Sequence, residues 1–141
     1  MKEVELLAPA GDEESLRASL CFGANAVYIG GEMLQLRSDQ AAFDRHSLVN
    51  AVAMVHQAHR KLYVTVNSFP TDRELELLPE YSLFLQKAGV DAVIVSDLGS
   101  IAVIKKAAPD LAIHVSTQAN CCNSQAATVY YQLGAQRVVL A

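Results

Sequence analysis

The sequence predicts an α/β fold: a parallel (β/α), TIM-barrel-like array that is incomplete, with about six strands of the usual eight. Three observations predict it. Short runs rich in Val, Ile, Leu and Tyr alternate with helix-patterned stretches along all 141 residues. One glycine-led junction occurs three times. The strand candidates also alternate between an aliphatic face and a more polar one.

The strand candidates span residues 4–7, 26–29, 62–66, 92–96, 112–116 and 137–140. Each of the five connections holds a helix pattern. The first helix starts at Asp12, an N-cap with Glu13 and Glu14 in its first turn. Leu16 and Leu20 share a face, Cys21 beside them reads as core, and Gly23 can end the helix in the left-handed conformation. The second helix runs from about Arg45 to Arg60 with Leu48, Val52 and Val55 on one stripe. The third opens on Thr71 and Glu74, the spacing of a capping box, and Pro79 predicts a kink or restart within it before Gly89 ends it. The fourth covers about Gly99 to Ala107 and stops before Pro109. The fifth runs from about Ser124 to Leu133, ahead of Gly134.

The repeated junction reads Gly23-Ala24-Asn25-Ala26-Val27-Tyr28-Ile29, then Gly89-Val90-Asp91-Ala92-Val93-Ile94-Val95, then Gly134-Ala135-Gln136-Arg137-Val138-Val139-Leu140. Each glycine caps a helix and each following run is a strand, which is the grammar of a β/α array. Strands alternating with helices imply a parallel sheet with right-handed crossovers. That leaves an open doubly wound sheet or a barrel. Leu62, Val64 and Val66 point one way and Tyr63, Thr65 and Asn67 the other; Ile113 and Val115 oppose His114, Ser116 and Gln118. Val27 and Ile29 oppose Tyr28 and Gly30, and Leu6 opposes Glu5 and Leu7. Parallel strands covered by helices on both sides read apolar throughout. Burying Glu, His and Gln under a helix layer is costly. A barrel resolves the conflict by turning the polar face into a lumen. A complete barrel needs ~250 residues, so residues 1–141 are expected to be the N-terminal part of a single barrel domain that stops after its sixth strand. Open barrel edges would invite homo-oligomers.

Hydrophobic residues make up 52% and charged residues 18% of the chain, which suits a core and argues against disorder. Mean hydropathy is +0.20, but no apolar run approaches the ~18 residues of a membrane span. The start, Met1-Lys2-Glu3-Val4-Glu5, lacks the pattern of a secretory signal, so the expectation is cytoplasmic, without membrane partners. The net charge is −4 with no Lys or Arg block, so the chain itself lacks the electrostatic footprint of tight nucleic-acid binding. Its three cysteines include no CxxC pair, which predicts no metal or cluster site and no cofactor held by this chain alone.

In β/α barrels the working residues follow the strands. Here those segments read Ala8-Pro9-Ala10-Gly11, Gly30-Gly31, Asn67-Ser68, Ser96-Asp97 and Ser116-Thr117-Gln118-Ala119-Asn120. Gly11, Gly30, Gly31, Arg37, Asn67, Asp97, Ser116, Gln118 and Asn120 are the candidate substrate-binding residues. Glycine lets a ligand approach the backbone closely. Arg37, in a long connection, would hold a carboxylate or phosphate over the mouth, or remain a solvated loop residue. Asp97 would bind a cation or hydroxyl, or cap the next helix; Asn120 and Asn123 share that ambiguity. Glu5 and His114 are the weak catalytic candidates, an acid–base pair if they meet and otherwise buried, satisfied groups. His56 and His59 read as surface or packing residues rather than metal ligands, for want of a third ligand. Cys121 and Cys122 leave a nucleophile open. No GxGxxG, Walker, HExxH or GxSxG motif occurs.

Five segments in order carry a resemblance: Glu5-Leu6-Leu7-Ala8-Pro9-Ala10-Gly11, Gly23 through Gly31, Val64-Thr65-Val66-Asn67, Gly89 through Gly99, and His114-Val115-Ser116-Thr117-Gln118-Ala119. Together they resemble the N-terminal region of peptidase family U32, the collagenase-like protease family. The resemblance implies a barrel-like domain and a hydrolase name, with this stretch inactive alone. It implies as alternatives hydroxylation of a tRNA wobble uridine, of an rRNA cytidine or of a ubiquinone precursor by iron–sulfur proteins whose cysteines lie beyond this region. A non-catalytic binding or assembly module is the third expectation. The substrate expected is accordingly a small molecule, a peptide or RNA. The family often has Asn-Phe where this chain has Ala42-Phe43, so a contact from that Asn is in doubt.

Overall fold

The computed structural model describes residues 4–36 and 43–141. Among them, six strands form one parallel sheet in sequential order: β1 (Leu7–Ala10), β2 (Ala26–Gly30), β3 (Lys61–Val66), β4 (Ala92–Val95), β5 (Ile113–Val115) and β6 (Arg137–Val138). The helices between them are α1 (Glu13–Cys21), α2 (Arg45–Gln57), α3 (Asp72–Leu75), α4 (Leu78–Ala88), α5 (Leu98–Ala107) and α6 (Ser124–Gln132), with a 3-10 turn at Thr117–Ala119.

Strictly sequential order in a parallel sheet is the topology of a β/α barrel; a doubly wound sheet reverses direction at a switch point. The curl is measurable. Laid flat, β1 and β6 would stand about 24 Å apart, five strand spacings of ~4.8 Å. Yet Glu5, just before β1, holds Arg137 of β6 at 2.5 Å. The sheet therefore wraps round and closes its two edges toward each other.

The two faces separate as the alternation requires. Val27, Ile29, Leu62, Val64, Val66, Val93, Val95, Ile113 and Val115 pack with Leu16, Leu48, Val55, Leu85, Ile101 and Ile104 of the helices in the main core. The opposite face carries a small inner cluster of Ala26, Tyr63 and Ala92, with Leu7, Tyr28, Ile94 and Ala112 packed on it.

Local signals set the connections. Asp12 caps α1 by accepting from the Ser15 N–H at 2.8 Å, and Asp44 caps α2 through the Ser47 N–H at 2.7 Å. Thr71 and Glu74 form the capping box of α3, and the helix restarts as α4 with Pro79 in its first turn, where the missing N–H is not needed. Gly23, Gly89 and Gly134 have φ of 92°, 84° and 97°. After two of them one device recurs: the side chains of Asn25 and Asp91 each accept a strand-start N–H, from Leu6 and Leu62, both at 2.8 Å.

Three expectations need correction. The first strand is residues 7–10, not 4–7. Its pairing begins at Leu7 against Ala26, while Val4 and Leu6 are exposed. Pro9 sits inside it because β1 is an edge strand of the described sheet, where a missing N–H breaks no ladder bond. The second helix ends at Gln57, and His59, at φ 55°, plays the left-handed role that glycine plays elsewhere. Cys21 is exposed, not core: it is one residue past Leu20 and so about 100° round α1. Among the described residues no helix is long and apolar enough to cross a membrane.

Candidate functional site

A cleft of about 440 Å³ opens at the C-terminal ends of the strands, within the ~300–1,000 Å³ range of small-molecule sites. Every strand contributes from its inner face or the turn after it: Pro9 and Gly11, Tyr28 and Gly30, Thr65 and Asn67, Ile94, Ser116 and Gln118, and Val139. The connection after β2 folds over the rim, where the Ser68 N–H donates to the Leu34 carbonyl at 3.0 Å, and brings Gln35 and Leu36 into the wall. A Cβ on Gly30 would lie 1.8 Å from Gln35 Oε1, so glycine there makes room for that amide.

The polar groups are laced together. Gln118 Oε1 accepts from Asn67 Nδ2 at 2.8 Å, Ser116 Oγ at 3.0 Å and Ser96 Oγ at 3.2 Å, which joins the ends of β3, β4 and β5. Ser116 Oγ in turn accepts from the Gln118 N–H at 3.3 Å, so its proton is free to point at Gln118 Oε1. Asn67 Oδ1 is buried with no hydrogen-bond partner among the described residues. No charged side chain lines the cleft among the described residues.

The sequence-derived candidates therefore divide. Gly11, Gly30, Asn67, Ser116 and Gln118 surround the cleft. Gly31 does not line it and faces the helix layer instead: a Cβ there would meet the Tyr81 hydroxyl of α4 at 1.9 Å. Asp97 N-caps α5 through the Ser100 N–H at 2.7 Å, and Asn123 caps α6 through the Ala126 N–H at 2.9 Å. Asn120 is left-handed, at φ 55°, and ends the 3-10 turn. Arg37 and Ala42 lie outside the described residues. Tyr28 and Thr65 were legible from strand parity but not singled out; Gln35 sat two residues from Arg37 and was overlooked because amides in loops carry no motif.

Glu5 and His114 do not touch each other. Both meet Tyr63 on the inner face. The Tyr63 hydroxyl donates to Glu5 Oε2 at 2.9 Å, and His114 packs edge-on against the Tyr63 ring at 4.6 Å between centroids. Arg137 completes the group, with its guanidinium donating to both Glu5 oxygens and lying 5.6 Å from the Tyr63 centroid. The hydrogen bond from Arg137 holds the Glu5 carboxyl below its ordinary range. Burial, then the bond to Glu5, pushes Tyr63 up to about 12. Burial, reinforced by the Arg137 charge, lowers His114 to about 4. A carboxylate kept ionised by a cation and an imidazole kept neutral by burial form a stable arrangement, with no proton poised near neutral pH.

A pH dependence follows. His114 takes up its proton at about 4 when folded but at 6.5 when unfolded. Below pH 6.5 the unfolded state binds a proton that the folded state refuses, so stability falls as pH drops from about 6.5 to 4. The loss is on the order of 2 kcal/mol, discounted for partial solvation. Thermal melts of the protein across that interval should show the loss, and His114→Phe, which keeps the aromatic contact, should flatten it.

His56 bonds Asp91 at 2.8 Å and does not pair with His59. Cys121 is buried, and its thiol faces the Asn123 carbonyl; Cys122 is exposed, with its thiol on Asn120. Among the described residues no three His, Cys, Asp or Glu side chains converge as a metal site. The donor set present does not fit an iron–sulfur cluster.

Comparison with known proteins places the chain. It matches the profile of Peptidase family U32 over residues 11–141. A tRNA hydroxylation protein P of Helicobacter pylori is 37% identical over 142 residues, covering 100% of this chain and 34% of its own. An uncharacterized protease of Methanocaldococcus jannaschii is 36% identical over 140 residues, covering 99% of this chain and 34% of its own. A 23S rRNA 5-hydroxycytidine synthase of Escherichia coli is 35% identical over 141 residues, covering 98% of this chain and 20% of its own. This chain thus spans about a third or less of the curated relatives it matches. Among solved structures, a U32 peptidase superposes with a TM-score of 0.75 at 14% identity, over 98% of this chain and 58% of that one. The deoxyribose phosphate aldolase of Aeropyrum pernix superposes at 0.70 and 15% identity, over 96% of this chain and 63% of that one. At such identities these two show the fold alone, and the fold is TIM-barrel-like. The family profile and the relatives aligned along the whole chain agree: this chain belongs to peptidase family U32.

Proposed function

We propose that this chain supplies the substrate-facing barrel mouth of an enzyme that hydroxylates a pyrimidine base in RNA. The observation that carries the reading is the character of the cleft. It is lined by amides, hydroxyls, an aromatic ring and aliphatic carbon, with no charge among the described residues. Such a lining suits a neutral, planar, hydrogen-bonding group better than a phosphate or carboxylate. The names of the relatives that hydroxylate tRNA and make 5-hydroxycytidine in rRNA point the same way.

Replacing a base C–H by C–OH is a two-electron oxidation. It needs an oxygen donor and an electron acceptor from outside the described residues. Cys21, Cys121 and Cys122 are not arranged to hold an iron–sulfur cluster, so such a cluster in the whole protein would take its ligands from other residues. The peptidase reading keeps the support of the family name and of the M. jannaschii relative. No geometry in the cleft adds to it.

The test is nucleoside analysis. Deleting the gene should abolish either hydroxylated uridine in the host's tRNA or 5-hydroxycytidine in its rRNA, read by mass spectrometry of digested RNA. Unchanged levels of both overturn the reading.

A further inference from the structure

We infer that the Gln118 carboxamide is the residue that reads the base, donating from Nε2 to a ring carbonyl of the pyrimidine. The inference rests on the reading of the cleft as an RNA-base site and assigns its specificity to one named group.

The argument is an account of hydrogen-bonding capacity. A glutamine amide has two acceptor lone pairs on oxygen and two donors on nitrogen. In this protein three donors from three different strand ends converge on Gln118 Oε1: Asn67 Nδ2, Ser116 Oγ and Ser96 Oγ. The oxygen is saturated and its direction fixed. The nitrogen on the same carbon has no partner among the described residues, and the side chain lines the cleft at its rim. A rotor with three restraints on one end and none on the other is a pre-organised donor, so little further ordering is needed when a ligand binds.

Beside it, Asn67 spends its nitrogen on Gln118 and leaves Oδ1 buried and unpaired among the described residues. A buried acceptor without a donor costs free energy until something supplies one. The group that the two amides leave open toward the cleft is thus the Gln118 Nε2 donor. A ring carbonyl, which both uracil and cytosine present, is its complement. Tyr28 and Ile94 supply the flat apolar wall that a ring needs. Nothing charged competes for the edge among the lining residues described.

Lacing the strand ends together is the rival role for Gln118, and one substitution separates the two. In Gln118→Glu a carboxylate oxygen still accepts from Asn67, Ser96 and Ser116, so the lacing survives, while the Nε2 donor is lost. Gln118→Met keeps the length and removes both. Each is introduced into the chromosomal gene, protein level is followed by immunoblot, and hydroxylated pyrimidines are measured in total RNA. Both variants are expected to lower the modified nucleoside at least tenfold at matched protein level. Wild-type modification in Gln118→Glu overturns the inference, even if Gln118→Met fails, because lacing then accounts for the residue. If Gln118→Glu does not accumulate, Gln118→Met decides together with its thermal melt: full modification, or a loss that comes with a lowered melting temperature, overturns the inference, and a tenfold loss at wild-type melting temperature supports it, because the lacing is then shown to be dispensable. Failure of the wider reading is distinguishable, because in that case gene deletion itself leaves the nucleosides unchanged.

Discussion

Gly31→Ala is expected to destabilise the protein by about 2–3 kcal/mol, an overpacking cost at the upper part of the usual range. The added methyl would sit 1.9 Å from the Tyr81 hydroxyl, 3.2 Å from its Cζ and 3.4 Å from Val64 Cγ1. Tyr81 cannot swing aside. It is 1% exposed and stacks on Phe84 at 6.2 Å between centroids. Val64 is fully buried in β3. Gly30 is the instructive contrast. A Cβ there meets only the far end of Gln35, a side chain that can rotate into the cleft. Gly30→Ala should therefore cost less stability and instead narrow the cleft. The mechanism at Gly31 is checked by a double-mutant cycle in urea. The Tyr81 hydroxyl has the Glu32 N–H near it but meets hydrogen-bonding geometry with no partner among the described residues, so Tyr81→Phe alone should be close to neutral. It removes the atom in the clash, and Gly31→Ala in that background should recover at least about 1 kcal/mol. Additive costs would show that Gly31 is required for its backbone rather than for the space it leaves.

Much of this architecture was legible because it is written in local chemistry. Gly23, Gly89 and Gly134 announced three helix-to-strand junctions, since only a residue without Cβ takes φ near 90° cheaply. Asp12, Thr71 with Glu74, and Pro79 marked helix starts by hydrogen-bonding rules that act within four residues. The parity of Tyr63, Thr65 and Asn67 against Leu62, Val64 and Val66 separated lumen from helix layer, because a strand's period of two leaves no third choice. What escaped was non-local or had been misread. β1 begins at Leu7 rather than three residues earlier, and a proline within it is compatible only with an edge position, which no local signal reveals. His59 was absorbed into α2 because a left-handed histidine has no sequence signature. The cleft residues Gln35 and Tyr28 are ordinary side chains until the chain folds round them. The longest-range miss was Arg137. It was counted only as part of a repeated junction, and nothing local tells it that Glu5, 132 residues earlier, will lie beneath its guanidinium.

That contact supports the second large effect. Arg137→Met is expected to cost about 2 kcal/mol near neutral pH. Removing one partner of a fully buried pair costs ~3–5 kcal/mol, and this pair is less enclosed, with side-chain exposures of 37% for Arg137 and 23% for Glu5. Methionine keeps the apolar stem over Tyr63, so the loss reports the charge and its hydrogen bonds rather than packing. The sign of the pH dependence is fixed by the direction of the shift. Glu5 has a folded pKa below 4.5, so the stability it contributes is complete above 4.5 and is lost as pH falls through its folded value. The gap between wild type and Arg137→Met should therefore be widest above pH 4.5 and close under acid. A second consequence separates this account from a simple loss of contact. Arg137 is also one of the causes that depress His114. Without that cation the imidazole should titrate closer to 6.5, and the stability lost between pH 6.5 and 4 should shrink in the same variant. An NMR titration of the His114 ring in both proteins measures this directly. An unchanged His114 pKa would mean that burial alone holds the imidazole neutral, and that the four side chains on the inner face act as neighbours rather than as one electrostatic unit.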